Sequence, residues 1–168
     1  APSLLSMDFT QTLSQLKEVK DSQATWLHFD VMDGHFVPNL SFGPDICAQI
    51  RKHSDLFMDV HIMVSDPHYF SDVFIRAGAD LITFHLEACA SEEEVLSVIQ
   101  KIRDKGVKVG LSIKPDTDVK SLIPFISKID LILIMSVNPG YGGQSFIPNA
   151  LDKIAFLRYY IDLNKLSC

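Results

Sequence analysis

The sequence predicts an α/β fold of repeated strand–helix units around a parallel sheet. Three observations carry that prediction. Short runs rich in Val, Ile, Leu and Phe alternate with longer stretches whose apolar residues recur at helical spacing. Gly, Pro or an Asp-Pro pair punctuates most of the junctions between them. Residues with chemical capability gather at the C-terminal ends of the strand-like runs, and in one parallel architecture active sites lie there.

The chain opens on a short apolar strand, Pro2–Leu5, followed from Asp8 to about Lys20 by a helical stripe of Phe9, Leu13, Leu16 and Val19. A strand spans Thr25 to about Met32, and a loop with Gly34, Pro38 and Gly43 leads to a helix from Pro44 to His53. The run Phe57–Val64 is a further strand. Asp66-Pro67 then starts a helix that ends near Gly78, because Asp caps and Pro suits the first turn. Leu81–Leu86 is a strand, and Ser91 followed by Glu94 forms a capping box for a helix that stops at Gly106. Val107–Ile113 is a strand, Val119–Ile129 a helix weakened by Pro124, and Asp130–Val137 a strand. A Gly-rich loop precedes the amphipathic helix Asn149 to about Leu163. Such units give either a doubly wound sheet or a (β/α)8 barrel. The chemistry at the strand ends favours the barrel.

With 168 residues, 47% of them hydrophobic, one domain with a sizeable core is expected. A net charge of −6 argues against nucleic acid as the main partner but not against an anionic substrate, which a local loop can bind. Cys47, Cys89 and Cys168 are far apart and odd in number, which favours a reducing, cytoplasmic setting. No apolar run approaches the ~20 residues that span a membrane, and no signal peptide is visible.

Alternate side chains of a strand share a face. On Trp26–Met32 that places His28, Asp30 and Met32 opposite Leu27, Phe29 and Val31; on Phe57–Val64 it aligns His61 with Met63. Two imidazoles and a carboxylate from neighbouring strands suit Zn²⁺ or another borderline divalent ion. The competing explanation is a pair of hydrogen-bonded core histidines with a structural carboxylate. Gly140-Tyr141-Gly142-Gly143, between a strand and a helix, can turn backbone N–H groups toward an anion, or be a plain tight turn. His85 and Glu87 share a face as supporting hydrogen-bonding groups. On the loop Asp33–Pro44, Phe36 and Phe42 either cover the site or meet a partner subunit.

The runs Leu27–Asn39 (LHFDVMDGHFVPN), Asp59–Val64 (DVHIMV), Thr83–Ala88 (TFHLEA) and Val137–Phe146 (VNPGYGGQSF) closely resemble the ribulose-phosphate 3-epimerase family. The resemblance covers nearly the whole chain. It implies a (β/α)8 TIM barrel of the ribulose-phosphate-binding type, with about six βα units here. It also implies metal-dependent epimerisation of D-ribulose 5-phosphate to D-xylulose 5-phosphate in pentose phosphate metabolism. His28, Asp30 and His61 would bind one divalent ion, Zn²⁺ first, with Fe²⁺, Mn²⁺ or Co²⁺ as alternatives. Asp30 would also be one of two acid/base carboxylates. Met32, Met63 and Met135 would ring the enediolate, and Ser3, His61 and Gly140, Tyr141, Gly142 and Gly143 would contact the sugar phosphate. A homo-oligomer is expected.

The family's Val/Ile-Asp-Gly-Gly motif on a seventh strand and its Gly-Ser pair on an eighth are not among these residues. The expectation is therefore one barrel domain, residues 1–168, incomplete at its C-terminal side. Two other readings stay open: a hexulose-6-phosphate epimerase acting on allulose 6-phosphate, and a non-catalytic fragment of a barrel. Barrels resembling orotidine phosphate decarboxylase carry Asp-x-Lys-x-x-Asp where this chain has His61-Ile62-Met63-Val64-Ser65-Asp66.

Overall fold

A computed structural model describes residues 1–168. Five strands, β1 (Trp26–Met32), β2 (Phe57–Met63), β3 (Leu81–His85), β4 (Lys108–Ile113) and β5 (Leu131–Ile134), form one sheet. All pairs are parallel and the spatial order is the sequence order. A doubly wound sheet reverses direction at a switch point; a barrel wall does not. The monotonic order therefore separates the two architectures that the alternation alone left open.

The helices are α1 (Thr12–Asp21), α2 (Pro44–His53), α3 (Pro67–Arg76), α4 (Glu92–Asp104) and α5 (Asn149–Leu163). Their starts follow the expected chemistry. The Asp66 side chain accepts from the Tyr69 N–H at 2.9 Å, and Ser91 Oγ accepts from the Glu94 N–H at 3.3 Å. Glu94 returns a carboxylate oxygen to the Ala90 N–H, so the box closes one residue further out than the usual pattern.

One predicted element differs in type. Pro2–Leu5 is not a strand: Ser3 makes a single parallel bridge to His28, and Leu4–Ser6 is a 3₁₀ turn. Ser3 Oγ caps that turn by accepting from the Leu5 N–H, which ends the extended run. Val119–Lys128 is the expected helix, of the 3₁₀ type, with Pro124 inside it supplying no N–H.

One face of the sheet meets the helices. Leu27, Phe29, Val60, Ile62 and Leu111, all buried, belong to one cluster with Phe74 of α3 and Ile99 of α4. The other face is the barrel interior. It carries His28, Asp30, Asp59, His61, Thr83 and His85, so the polar groups gather on the face away from the helices.

At Gly110 of β4 an added Cβ would collide with Thr83 Oγ1 on β3 and lie 3.2 Å from the Leu131 side chain on β5. Gly110→Ala is expected to destabilise the fold by about 1–3 kcal/mol through overpacking. Adding Thr83→Ala should recover part of that loss, because Thr83 Oγ1 is buried without a hydrogen-bond partner. Denaturant midpoints of the single and double variants check this; no recovery would mean that the backbone, not Thr83, is the obstacle.

Candidate active site

The parallel register of β1 and β2 sets His28 beside Asp59, Asp30 beside His61 and Met32 beside Met63. β3 adds His85 at its C-terminal end, two residues before Glu87. A hydrogen-bonded row results. His28 Nδ1 lies 2.7 Å from Asp59 Oδ2, and His28 Nε2 lies 3.1 Å from Asp30 Oδ1. His61 Nδ1 is 3.0 Å from the same Asp30 oxygen, and His61 Nε2 is 2.9 Å from His85 Nε2. His85 Nδ1 faces Glu87 Oε2 at 3.3 Å.

The donors in this row can be assigned. Burial alone would raise the Glu87 carboxyl. His85, the Thr117 hydroxyl and the Lys114 N–H outweigh that and hold it down at about 2. An ionised Glu87 must accept, so His85 donates from Nδ1. Burial pushes His85 down to about 4 against the pull of Glu87, so the ring is neutral and its Nε2 accepts from His61. A metal-binding role for His61 would use the Nδ1 lone pair of the neutral ring, on the Asp30 side. His28 donates from Nδ1 to Asp59, so its Nε2, on the Asp30 side, carries the ligand lone pair when the ring is neutral and a second donated proton when it is charged.

With both rings neutral, three electron-rich atoms converge: two imidazole nitrogens and a carboxylate oxygen. The ligand atoms of His28, Asp30 and His61 lie within 4.8 Å of one another. Such a set is stable only around positive charge, and it matches the borderline donors that Zn²⁺-type ions take. Asp59 behind His28 is the carboxylate–histidine partner that fixes a ligand's tautomer. Without a metal, a proton supplies the charge. Burial opposes it, but Asp30 and Asp59 push His28 up to about 10, and the two histidines hold Asp30 far below the usual carboxylate range. The residues present thus fit a divalent ion.

Asp30 joins this row to the barrel mouth. A cavity of about 210 Å³ is lined by Ser3, Asp30, Met32, Met63, Met135 and the loop residues Gly140, Tyr141 and Gly142. Ser3 Oγ donates to Asp30 Oδ2 at 2.7 Å. His28 and His61 lie beside the cavity rather than on its wall, and Gly143 is the next residue along the loop, outside the lining. A cavity of about 270 Å³ between β5 and α5 is mostly aliphatic and has no converging polar set.

The two loop aromatics part company. Phe36 packs near Met32 and Met63, with its ring 4.9 Å from His85 and the Lys114 ammonium 4.1 Å from its centroid. Phe42 instead sits against Phe29 and Phe9 on the helix side of the sheet, away from the site. Asp59 was not apparent as a site residue from the sequence. Its signal was the parity it shares with His61 and Met63.

Asp33 anchors the Phe36 loop. Its Oδ1 accepts from the His35 and Phe36 N–H groups, both at 2.8 Å, and its Oδ2 accepts from the Ser65 N–H and Oγ at 2.8 and 2.7 Å. Burial would raise this carboxyl, but these bonds prevail and hold it at about 2, below its ordinary 3.8. A lowered folded-state value means that the stabilisation is complete above 3.8 and disappears as the pH falls toward 2. Asp33→Asn should cost about 1–2 kcal/mol at neutral pH and flatten the stability profile in that acid window. Acid titration of unfolding checks this; an unchanged slope would remove Asp33 as its source.

A ribulose-phosphate 3-epimerase of Chlamydia pneumoniae is 44% identical over 160 residues, covering 95% of this chain and 69% of that protein. One from Rhodospirillum rubrum is 48% identical over 157 residues, covering 94% and 68%. Among solved structures, the tryptophan synthase alpha subunit of Legionella pneumophila superposes with a TM-score of 0.57 over 94% of this chain and 67% of that one. At 12% identity it supports the barrel fold alone. The profile of the family described as "Ribulose-phosphate 3 epimerase family" matches residues 1–168, and with these relatives it establishes that the chain belongs to that family of isomerases.

Proposed function

We propose that this chain, as a single barrel domain, interconverts D-ribulose 5-phosphate and D-xylulose 5-phosphate by proton transfer at C3. The observation that carries the reading is the position of Asp30. One oxygen shares the lone-pair cluster with His28 and His61, and the other faces a sugar-sized cavity beside Ser3.

Asp30 is the base. Held ionised by its imidazole neighbours, it removes the C3 proton, and the electrons of the broken C–H bond form the C2–C3 double bond as the ketone oxygen takes up negative charge. A divalent ion held by His28, Asp30 and His61, with Zn²⁺ the first choice over Fe²⁺, Mn²⁺ or Co²⁺, would supply positive charge to that oxygen. Met32, Met63 and Met135 line the cavity with polarizable, apolar surface that excludes water from the planar enediolate. The loop Gly140–Gly143 receives the phosphate on backbone N–H groups, and His61 contributes to substrate binding from beside the cavity. Inversion is complete when a second acid returns a proton to the opposite face.

No helix is long and apolar enough to cross a membrane. A rice relative, 39% identical, is named as a cytoplasmic isoform, which supports a cytoplasmic setting here. The exposed apolar side chains Leu151, Ile154 and Leu163 on α5 support a homo-oligomer.

Elemental analysis of the purified protein alongside a coupled assay with ribulose 5-phosphate tests the reading. The expected result is about one divalent ion per chain, with chelator removing both metal and turnover. Activity that survives complete metal removal would defeat it.

A further inference from the structure

The loop between β5 and α5 has its carbonyls tied and its N–H groups free. Gln144 Nε2 donates to Asn138 O at 2.6 Å and to Tyr141 O at 2.8 Å. Asn39 Nδ2, from the loop after β1, donates to Gly140 O at 2.8 Å. No N–H from Gly140 to Gly143 reaches an acceptor within the protein.

In a planar trans peptide the C=O and N–H point in opposite directions. Fixing the Gly140 carbonyl therefore also fixes the Tyr141 N–H, and fixing the Tyr141 carbonyl fixes the Gly142 N–H. Tyr141 and Gly142 line the cavity above Asp30. Gly140 has φ 122°, a left-handed conformation that a side chain would disfavour. Asn39 is itself set in one orientation, because its Oδ1 accepts from the Leu40 N–H at 2.9 Å and leaves the NH₂ for Gly140.

We propose that Asn39 is a positioning residue for the anion-binding loop. Its carboxamide, brought from 101 residues away in sequence, holds the Gly140 peptide so that the Tyr141 N–H stays directed at the phosphate of the substrate. The inference rests on the phosphate role given to this loop above. Oriented N–H groups of this kind bind anions only while their peptide planes are held, since a free Gly-rich turn samples both directions. The Tyr141 hydroxyl, 3.2 Å from Pro38 O, is a second tie between the same two loops but does not touch that peptide.

The test uses ¹⁵N-labelled protein titrated with inorganic phosphate, beside two variants. In the unaltered protein, the Tyr141 and Gly142 amide signals should move as phosphate binds. Asn39→Ala, which removes the bond to Gly140 together with the acceptor for the exposed Leu40 N–H, should weaken phosphate about three- to tenfold. Asn39→Asp keeps the acceptor for Leu40 but offers no donor to Gly140, and should weaken it at least as much. Zn²⁺ affinity and the thermal midpoint should stay unchanged in both, which a purely structural role would not allow. If phosphate leaves the Tyr141 and Gly142 amides of the unaltered protein unmoved, the phosphate role of the loop falls, and the inference with it. If those amides respond and both variants bind phosphate within twofold of the unaltered protein, the positioning role alone is overturned. A parallel loss of Zn²⁺ affinity or of stability would also overturn it.

Discussion

Asp30→Asn should lower epimerase turnover by about 10²–10⁴-fold, the usual loss when one positioned acid/base group is removed. Asn has nearly the shape of Asp, so the substitution tests charge rather than space. Ser3 Oγ, at 2.7 Å, can still donate to the remaining amide oxygen, and the strand register is untouched. What disappears is the basic oxygen facing the cavity and the negative charge between His28 and His61. Because the metal set is altered too, turnover must be read at saturating Zn²⁺ with metal content measured in parallel. Deuterium uptake from solvent at C3 should fall with turnover, since both begin with the same proton removal. A fully metallated Asp30→Asn protein with near-normal turnover would falsify the assignment of Asp30 as base.

Much of this site could be read before any coordinates, and the reason is local. In a strand, parity alone places His28 with Asp30 and His61 with Met63, because successive side chains alternate faces. Helix bounds were equally legible: Pro44 opens α2 and His53 closes it where expected, and α5 spans Asn149–Leu163 as expected, although Leu151, Ile154 and Leu163 leave its apolar residues on more than one face. Where a local pattern met a competing local bond it misled. The apolar run Pro2–Leu5 looks like a strand, but Ser3 caps a turn instead. Phe36 and Phe42 share a loop and a chemistry, yet they pack on opposite sides of β1, and only tertiary packing decides that. The Asn39–Gly140 bond joins residues whose sequence neighbourhoods contain no mutual signal. Asp59 is the instructive omission. An acidic residue near the start of a strand suggests solvent, but this one is 7% exposed and bonded to a histidine.

Asp59 also gives the sharpest test of the metal site outside the proposed ligands. Its Oδ2 accepts from His28 Nδ1–H at 2.7 Å, which is what turns Nε2 toward Asp30 and, in the neutral ring, leaves the lone pair there for a metal. Its Oδ1 is buried without a partner, so the carboxylate bears a desolvation cost that the fold alone does not require. Asp59→Ala leaves the imidazole free to change tautomer and rotate. The expected result is a 10–100-fold loss of Zn²⁺ affinity, the range typical of partners behind a metal-binding histidine. Asp59→Asn can still accept from Nδ1–H but lacks the charge that strengthens the ligand, and should fall between the two. Competition with a chromophoric chelator measures all three proteins without reference to catalysis. Unfolding of the metal-free proteins separates misfolding from lost ligand orientation, because Asp59→Ala leaves one buried His28 N–H unpaired and should cost only about 1–3 kcal/mol. Equal Zn²⁺ affinity in the Ala variant would mean that His28 is oriented by something other than Asp59, or is not a ligand at all.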